Sequence, residues 1–276
     1  MKKKKIIVLT VALALLLIVG IVAIIFFKKG GAELLTKLAS GDTFNKGEYI
    51  KPDYDVDGVL DEEIWKDAPC IAFGNSATET DEVTFRYYYG ERGITASFVV
   101  ADPTICYASN AIDNSQIYRL SDAVFLYLDV NNDGQITPQK DDVKFCIAAD
   151  GRMAIAKGSG SNWVYTNESI DYQVVVDGEL NKSDGGTVDK SWTVEMFIPY
   201  KTYGIDKEAI MGMMLEWDDS NTPSGAATRY IWYDGGNAAT MLPEFFNPID
   251  KNGLAFAAPE SWVPSMGRFV EDGESG

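Results

Sequence analysis

Apolar and polar positions change rhythm three times along this chain. From Ile6 to Phe27 there is no charge, and only Thr10 and Gly20 interrupt an aliphatic and aromatic run. A helix needs about 20 apolar residues to cross the hydrocarbon core of a bilayer, so the run predicts one transmembrane helix. Lys2 to Lys5 precede it, and Lys28 and Lys29 follow it. The heavier positive end stays cytoplasmic and the C-terminal part lies outside the cell. A cleaved secretion signal would carry an apolar region of about 7–15 residues and a small-residue cleavage site. This run is longer and ends in Ile-Ile-Phe-Phe-Lys-Lys, which favours an uncleaved signal anchor over residues 1–29.

Residues 30–51 read as a juxtamembrane stalk, polar and extended after a short helical stretch. From Asp57 to Pro69 the pattern predicts a turn and one or two helical turns, with Asp61 as the cap, Pro69 as the stop and Trp65 pinning the turn to the core. The period then becomes two. Val83, Phe85, Tyr87 and Tyr89 alternate with polar or smaller positions, and Ile94, Ala96, Phe98 and Val100 repeat the pattern after Gly90-Glu-Arg-Gly93. That is a hairpin with one buried face. Further strands are expected at 123–130, 143–149, 152–157, 172–176, 191–198, 211–217, 229–233 and 254–257. Many short strands separated by turn signals make an all-β sandwich or barrel. The folded domain covers 52–258, and 259–276 is a C-terminal tail.

Charge and composition narrow the function. The chain carries −17 overall, and because residues 1–29 hold six lysines and no acid, the remainder carries −23. No basic stripe is available for phosphates, so nucleic acid is discarded as a partner, while divalent cations are tolerated or attracted. There is no histidine, which removes the commonest general base and the usual haem and zinc ligand. A Ser-His-Asp or Cys-His nucleophile cannot be built. Among 41 acids, a carboxylate pair for glycoside hydrolysis cannot be singled out. Glu195, opposite in phase to Val194 and Met196, reads as a half-buried structural carboxylate. Three cysteines, Cys70, Cys106 and Cys146, are too few to carry a disulfide framework.

Two local features carry candidate chemistry. In Asp129-Val-Asn131-Asn132-Asp133-Gly134-Gln135, oxygen side chains at alternate positions and a glycine bend suit a Ca²⁺ loop. Lys140 stands where an EF-hand has its glutamate, and Asp141 or Asp142 could supply the missing carboxylate. The flanks are strands, so an EF-hand is rejected. A metal-free Asn/Asp/Gly hairpin loop is the competing reading. Aromatic residues are abundant, and rings beside loops, Trp163 among them, are candidates for stacking on sugar faces, although most rings in a β domain belong to its core.

Several ordered segments resemble the family 9 carbohydrate-binding modules. Val56-Asp-Gly-Val-Leu-Asp-Glu-Glu-Ile-Trp65 is similar to that family's opening motif. Ala96-Ser-Phe-Val-Val-Ala-Asp102-Pro103 is similar to its strand ending in Asp-Pro. Ser121-Asp122-Ala-Val-Phe-Leu-Tyr-Leu-Asp129 and Trp192-Thr-Val-Glu195-Met-Phe-Ile-Pro199-Tyr-Lys201 resemble two further strands. Asn247-Pro248 with Asn252-Gly253-Leu254 resembles its closing segment. The resemblance implies an immunoglobulin-like or jelly-roll-type β-sandwich that binds glycan ends, is often appended to xylanases, and holds calcium in loops like 129–142.

In members that bind sugar ends, two tryptophans sandwich the ring. The corresponding places here hold Tyr118 and Arg119, and Phe245 and Phe246. The family's glutamate in the Asp122 strand is Phe125 here, and its arginine in the next strand is Cys146. Losing such hydrogen bonds costs about 1–3 kcal/mol each.

The expectation is therefore a non-catalytic, membrane-anchored glycan-binding module. It would hold xylan, cellulose-type or other polysaccharide at the cell surface and assist partner hydrolases. The alternative is a calcium-stabilised structural or adhesive module without a sugar site. A haem reading would need Met211, Met213 or Met214 as ligands, and an enzyme reading finds no room for a separate catalytic domain.

Overall fold

The computed structural model describes residues 49–74, 82–107, 121–181, 190–223, 227–232, 242–255 and 267–269. The chain divides into two units, Met1–Gly47 and Glu48–Gly276, and every described residue belongs to the second. The anchor and most of the stalk lie outside the described residues. Among those described, no helix is long and apolar enough to cross a membrane.

Two antiparallel sheets face each other. The first runs β14 (Gly267–Phe269), β1 (Cys70–Gly74), β2 (Glu82–Tyr89), β3 (Gly93–Ala101), β9 (Ser191–Pro199) and β8 (Asp171–Asp177). The second runs β13 (Gly253–Leu254), β12 (Asn247–Asp250), β10 (Met211–Asp219), β4 (Ala123–Asp129), β5 (Val143–Ala148), β6 (Met153–Gly158) and β7 (Trp163–Tyr165). In it, β11 (Thr228–Trp232) also pairs with β10. The all-β sandwich expected from the alternating segments is the observed architecture. The strands that the alternation did not mark are the short β1, β7, β12 and β14, where too few residues repeat to set a period.

The core lies between the sheets. Phe85, Tyr87, Phe98, Val100, Trp192 and Val194 from the first sheet meet Leu126, Leu128, Phe145, Ile147, Leu215 and Trp217 from the second. Side chains alternate across a strand, so the intervening residues point outward. Strand β2 behaves as the pattern predicts, with buried and half-buried positions in turn. By contrast, β4, β5 and β10 are buried at every position. An antiparallel sheet commonly leaves one face wet; the outer face of the second sheet carries a second packed layer.

The outer face of the first sheet is strapped by the chain's own entry segment. Asp53 accepts from the Arg92 amide at 2.9 Å and pairs with Arg92 Nε at 2.7 Å. Gly58, in the left-handed region at φ 81°, passes so close to Val175 that a β-carbon would sit 2.5 Å from its methyl. The expected helical turn exists as α1 (Ile64–Asp67), but Asp61 does not cap it. The N-cap residue is Glu63, without a side-chain cap bond. Trp65 joins a satellite cluster with Ile64, Ala68, Tyr54, Leu60 and Tyr88 rather than the sandwich core. After β9, a single turn, α2 (Tyr200–Tyr203), ends at Gly204 in the left-handed conformation.

Candidate functional site: the outer face of the second sheet

Register places one set of side chains on this face. Tyr127 on β4 is opposite Met214 on β10 and Lys144 on β5. Lys144 is opposite Ala156 on β6, which is opposite Tyr165 on β7. In the next row, Phe125 lies between Glu216 on β10 and Cys146 on β5. In the third, Ala123 is opposite Asp218, which is opposite Arg229 on β11. Small residues at Ala148, Ala154 and Ala156 leave the larger groups to dominate the surface.

The result is an aromatic and charged cluster. The Tyr127 hydroxyl donates to Glu216 Oε2 at 2.8 Å. Arg229 Nε lies 2.7 Å from Glu216 Oε1 and 3.4 Å from Asp218 Oδ1. Lys144 Nζ stands 5.7, 5.7 and 5.0 Å from the ring centres of Tyr127, Trp163 and Tyr165, within reach of cation–π attraction. Its ammonium approaches the Tyr165 hydroxyl at 3.5 Å. Tyr127 meets Trp163 and Phe246 edge to face at 5.8 and 6.0 Å. Trp163 Nε1 is buried without a hydrogen-bond partner.

Burial sets the electrostatics. Tyr127, Lys144 and Glu216 are buried, whereas Trp163, Tyr165 and Arg229 are half-buried at the rim. Desolvation lowers the Lys144 ammonium and raises Glu216, with Arg229 opposing the latter. Desolvation, then the charge of Glu216, pushes Asp218 well above the usual carboxylate range. Ring faces, a hydroxyl, an amine, a carboxylate–guanidinium pair and an indole N–H in one concentrated patch are what a hydroxyl-rich ring needs: stacking surface plus directional donors and acceptors.

Of the sugar-site residues expected from sequence, Trp163 and Phe246 come together on this face with Tyr127 between them. Phe245 stands beside Phe246, 38% exposed, at the end of a short 3-10 turn, Pro243–Phe245. Tyr118 and Arg119 lie outside the described residues. Tyr127, Lys144, Tyr165, Glu216, Asp218 and Arg229 were not singled out from sequence. The available signal was strand phase: each is on the same side of the sheet as Phe125 and Cys146 once the register is known. The absent carboxylate at Phe125 and guanidinium at Cys146 have counterparts close by, with Glu216 directly opposite Phe125 and Arg229 paired to it. Met211 and Met213 belong to the sandwich core and Met214 to the opposite face, so the three do not converge on one centre.

At one end of the same sheet is the acidic loop. Asn132 and Gly134 take the left-handed conformation, φ 52° and 59°. Asp129 accepts from the Asp133 and Gly134 amides at 3.2 and 2.9 Å. Carboxylate oxygens of Asp129, Asp141 and Asp142 lie within 4.8 Å of one another. Asp142 Oδ2 accepts from the Gln139 amide at 2.6 Å, while its Oδ1 and Asp141 Oδ2 are buried without a hydrogen-bond partner. Buried, unsatisfied oxygens converging in this way fit a hard cation such as Ca²⁺. Asn131, Asp133 and Gln135 are exposed and make turn bonds instead: Asn131 Oδ1 accepts from the Asp133 amide at 2.9 Å and Asp133 Oδ1 from the Gln135 amide at 3.3 Å. A second acidic group, Asp102, Asp122 and Asp219, is wholly buried and equally close. Asp122 accepts from the Ser220 and Cys106 amides, and burial followed by the charge of Asp102 raises it well above the usual range.

Comparison with known proteins bears on the family and the fold. No curated protein sequence matches the chain. Two structures of a family 9 carbohydrate binding module from Caldicellulosiruptor kristjanssonii are similar in fold, each at 19% identity. The complex with cellotriose gives a TM-score of 0.51 over 78% of this chain and 95% of that one. The complex with glucose gives 0.53 over 76% and 97%. The model of the family described as carbohydrate family 9 binding domain-like matches residues 56–248, and the chain belongs to that family.

Proposed function

We propose that this chain is a non-catalytic carbohydrate-binding module, tethered outside the cytoplasmic membrane by residues 1–29 and holding polysaccharide or oligosaccharide at the cell surface, where it assists partner glycoside hydrolases. The observation that carries the reading is the cluster of Trp163, Tyr165, Tyr127 and Phe246 around Lys144, Glu216 and Arg229 on one sheet face. Membership of the family and the glucose and cellotriose complexes of its structural neighbours support a sugar as the ligand. The uncharged run Ile6–Phe27 and its lysine flanks support the anchor. A Ca²⁺ ion held by Asp129, Asp141 and Asp142 would neutralise the loop and stiffen it.

The test is isothermal titration of the full-length chain with glucose and cellotriose, together with affinity electrophoresis on xylan, cellulose, pectin and mannan fragments. Heat or retardation on any of them supports the reading, and none on all of them sinks it. A second reading, a calcium-stabilised structural or adhesive module, is favoured by one observation. Phe125 and Cys146 face each other, both buried, where sugar-binding members place an acid and a base. That reading predicts calcium binding with no response to any glycan.

A further inference from the structure

The acidic loop and the aromatic edge of the sheet face are joined by three contacts. The Glu244 amide donates to the Gln135 carbonyl at 3.2 Å. The Cα of Glu244 lies 3.8 Å from the position a β-carbon would take on Gly134, so the glycine bend of the loop rests against the 3-10 turn. Gly212 on β10 sits between the Cβ atoms of Asp129 and Phe246, each 3.1 Å from where its own β-carbon would be, with Asn132 Oδ1 at 3.4 Å. A side chain at 212 would crowd both Asp129 and the ring-bearing Phe246. Phe246 in turn packs edge to face on Tyr127, whose hydroxyl donates to Glu216.

We infer that divalent-cation occupancy of the 129–142 loop controls glycan affinity by setting the position of residues 243–246. The inference rests on the glycan-binding reading for its second half and on the loop contacts alone for its first. Without a cation, Asp129, Asp141 and Asp142 repel one another and the loop opens by separating them. The carbonyl of Gln135 and the bend at Gly134 move with it, and the turn carrying Phe245 and Phe246 loses its support. With Ca²⁺ bound, the loop closes, Glu244 regains its backbone acceptor, and Phe246 is held on Tyr127. Binding of cation and of sugar are then coupled reciprocally.

The experiment uses the full-length chain, stripped with EGTA and then returned to CaCl₂. Hydrogen exchange is followed in the peptide spanning 242–247, and cellotriose is titrated in both states. The expected result is that Ca²⁺ slows exchange at 242–247 by about tenfold and tightens cellotriose by a similar factor, and that Asp142→Asn removes both responses. Slowed exchange without sugar binding in either state leaves the loop-to-turn coupling standing and removes the glycan reading. Calcium heat with unchanged exchange at 242–247, equal cellotriose affinity in both states, or no calcium heat at all overturns the inference. The wild-type comparison decides even where Asp142→Asn does not fold.

Discussion

The two outer faces of the sandwich both carry buried charge, and they handle it differently. On the first sheet, register lines up Arg86, Ser97, Glu195 and Gln173 across four strands. Glu195 is fully buried, and its Oε2 accepts from the Asp57 and Gly58 amides at 3.0 and 2.9 Å. The chain's own backbone closes that face, because the entry segment is strapped down over it. On the second sheet Glu216 pairs with the side chains of Arg229 and Tyr127, Lys144 approaches the Tyr165 hydroxyl, and the rim at Trp163, Tyr165 and Arg229 is half exposed. Backbone amides make a fixed, structural partner. Side-chain partners can rotate. Sheets of six and eight strands thus give one face sealed around Glu195 by the entry segment and one lined by side-chain partners.

The sharpest way to break this comparison is Glu195→Ala. It removes the carboxyl acceptor of two backbone amides, and we expect a loss of about 3 kcal/mol, read as a lower denaturant midpoint with an unchanged slope. Glycan affinity should not move, because the change lies on the sealed face. An effect on affinity but not on stability would reverse the assignment of the two faces.

The pH dependence follows in size. Burial raises the Glu195 carboxyl from its ordinary 4.5 to about 7, with the nearby Glu62 adding to the rise and the Gly58 and Asp57 amides opposing it. The folded state therefore holds this proton more tightly than the unfolded chain does. The contribution is complete below the ordinary value and is lost as pH rises through about 7, on the order of 3 kcal/mol. Thermal unfolding should shift downward between pH 5 and 8. Glu195→Gln, which keeps an oxygen for the two amides, should flatten its share of that slope; an identical slope in the variant would show that other carboxyls dominate.

On the second face, Trp163→Ala should weaken cellotriose binding by roughly tenfold, the magnitude of one lost stacking and hydrogen-bonding ring. Because the ring lies at the edge strand and is half-buried, stability should fall by only about 1 kcal/mol. The smallest effect on stability is expected for Lys144→Met. Burial already disfavours this ammonium, and methionine keeps an apolar stem under the Tyr127, Trp163 and Tyr165 rings, so the midpoint should stay within about 1 kcal/mol while sugar affinity drops. If both variants lower stability and leave glycan retardation untouched, the second face is a core layer and nothing more.

By itself the sequence determined the strand phases. Alternation of the kind Val83-Thr-Phe85-Arg-Tyr87 states which residues share a face, and that is a local, steric property of an extended chain. It also carried the acidic balance, the absence of histidine, the Asp129–Gln135 loop and the motif order of the family. Asp141 and Asp142 could be named as candidate ligands because they are close to the loop in sequence.

What only the tertiary structure decided was which strands are neighbours. Glu216, Arg229, Tyr127 and Lys144 come from four strands, and nothing local says that β10 lies between β4 and β11. Long-range pairing is what turned a missing acid at Phe125 into one supplied from the adjacent strand. The same pairing placed Gly212 between Asp129 and Phe246, a contact with no signature in the sequence, because a glycine chosen for close approach reads like any other glycine until its neighbours are known.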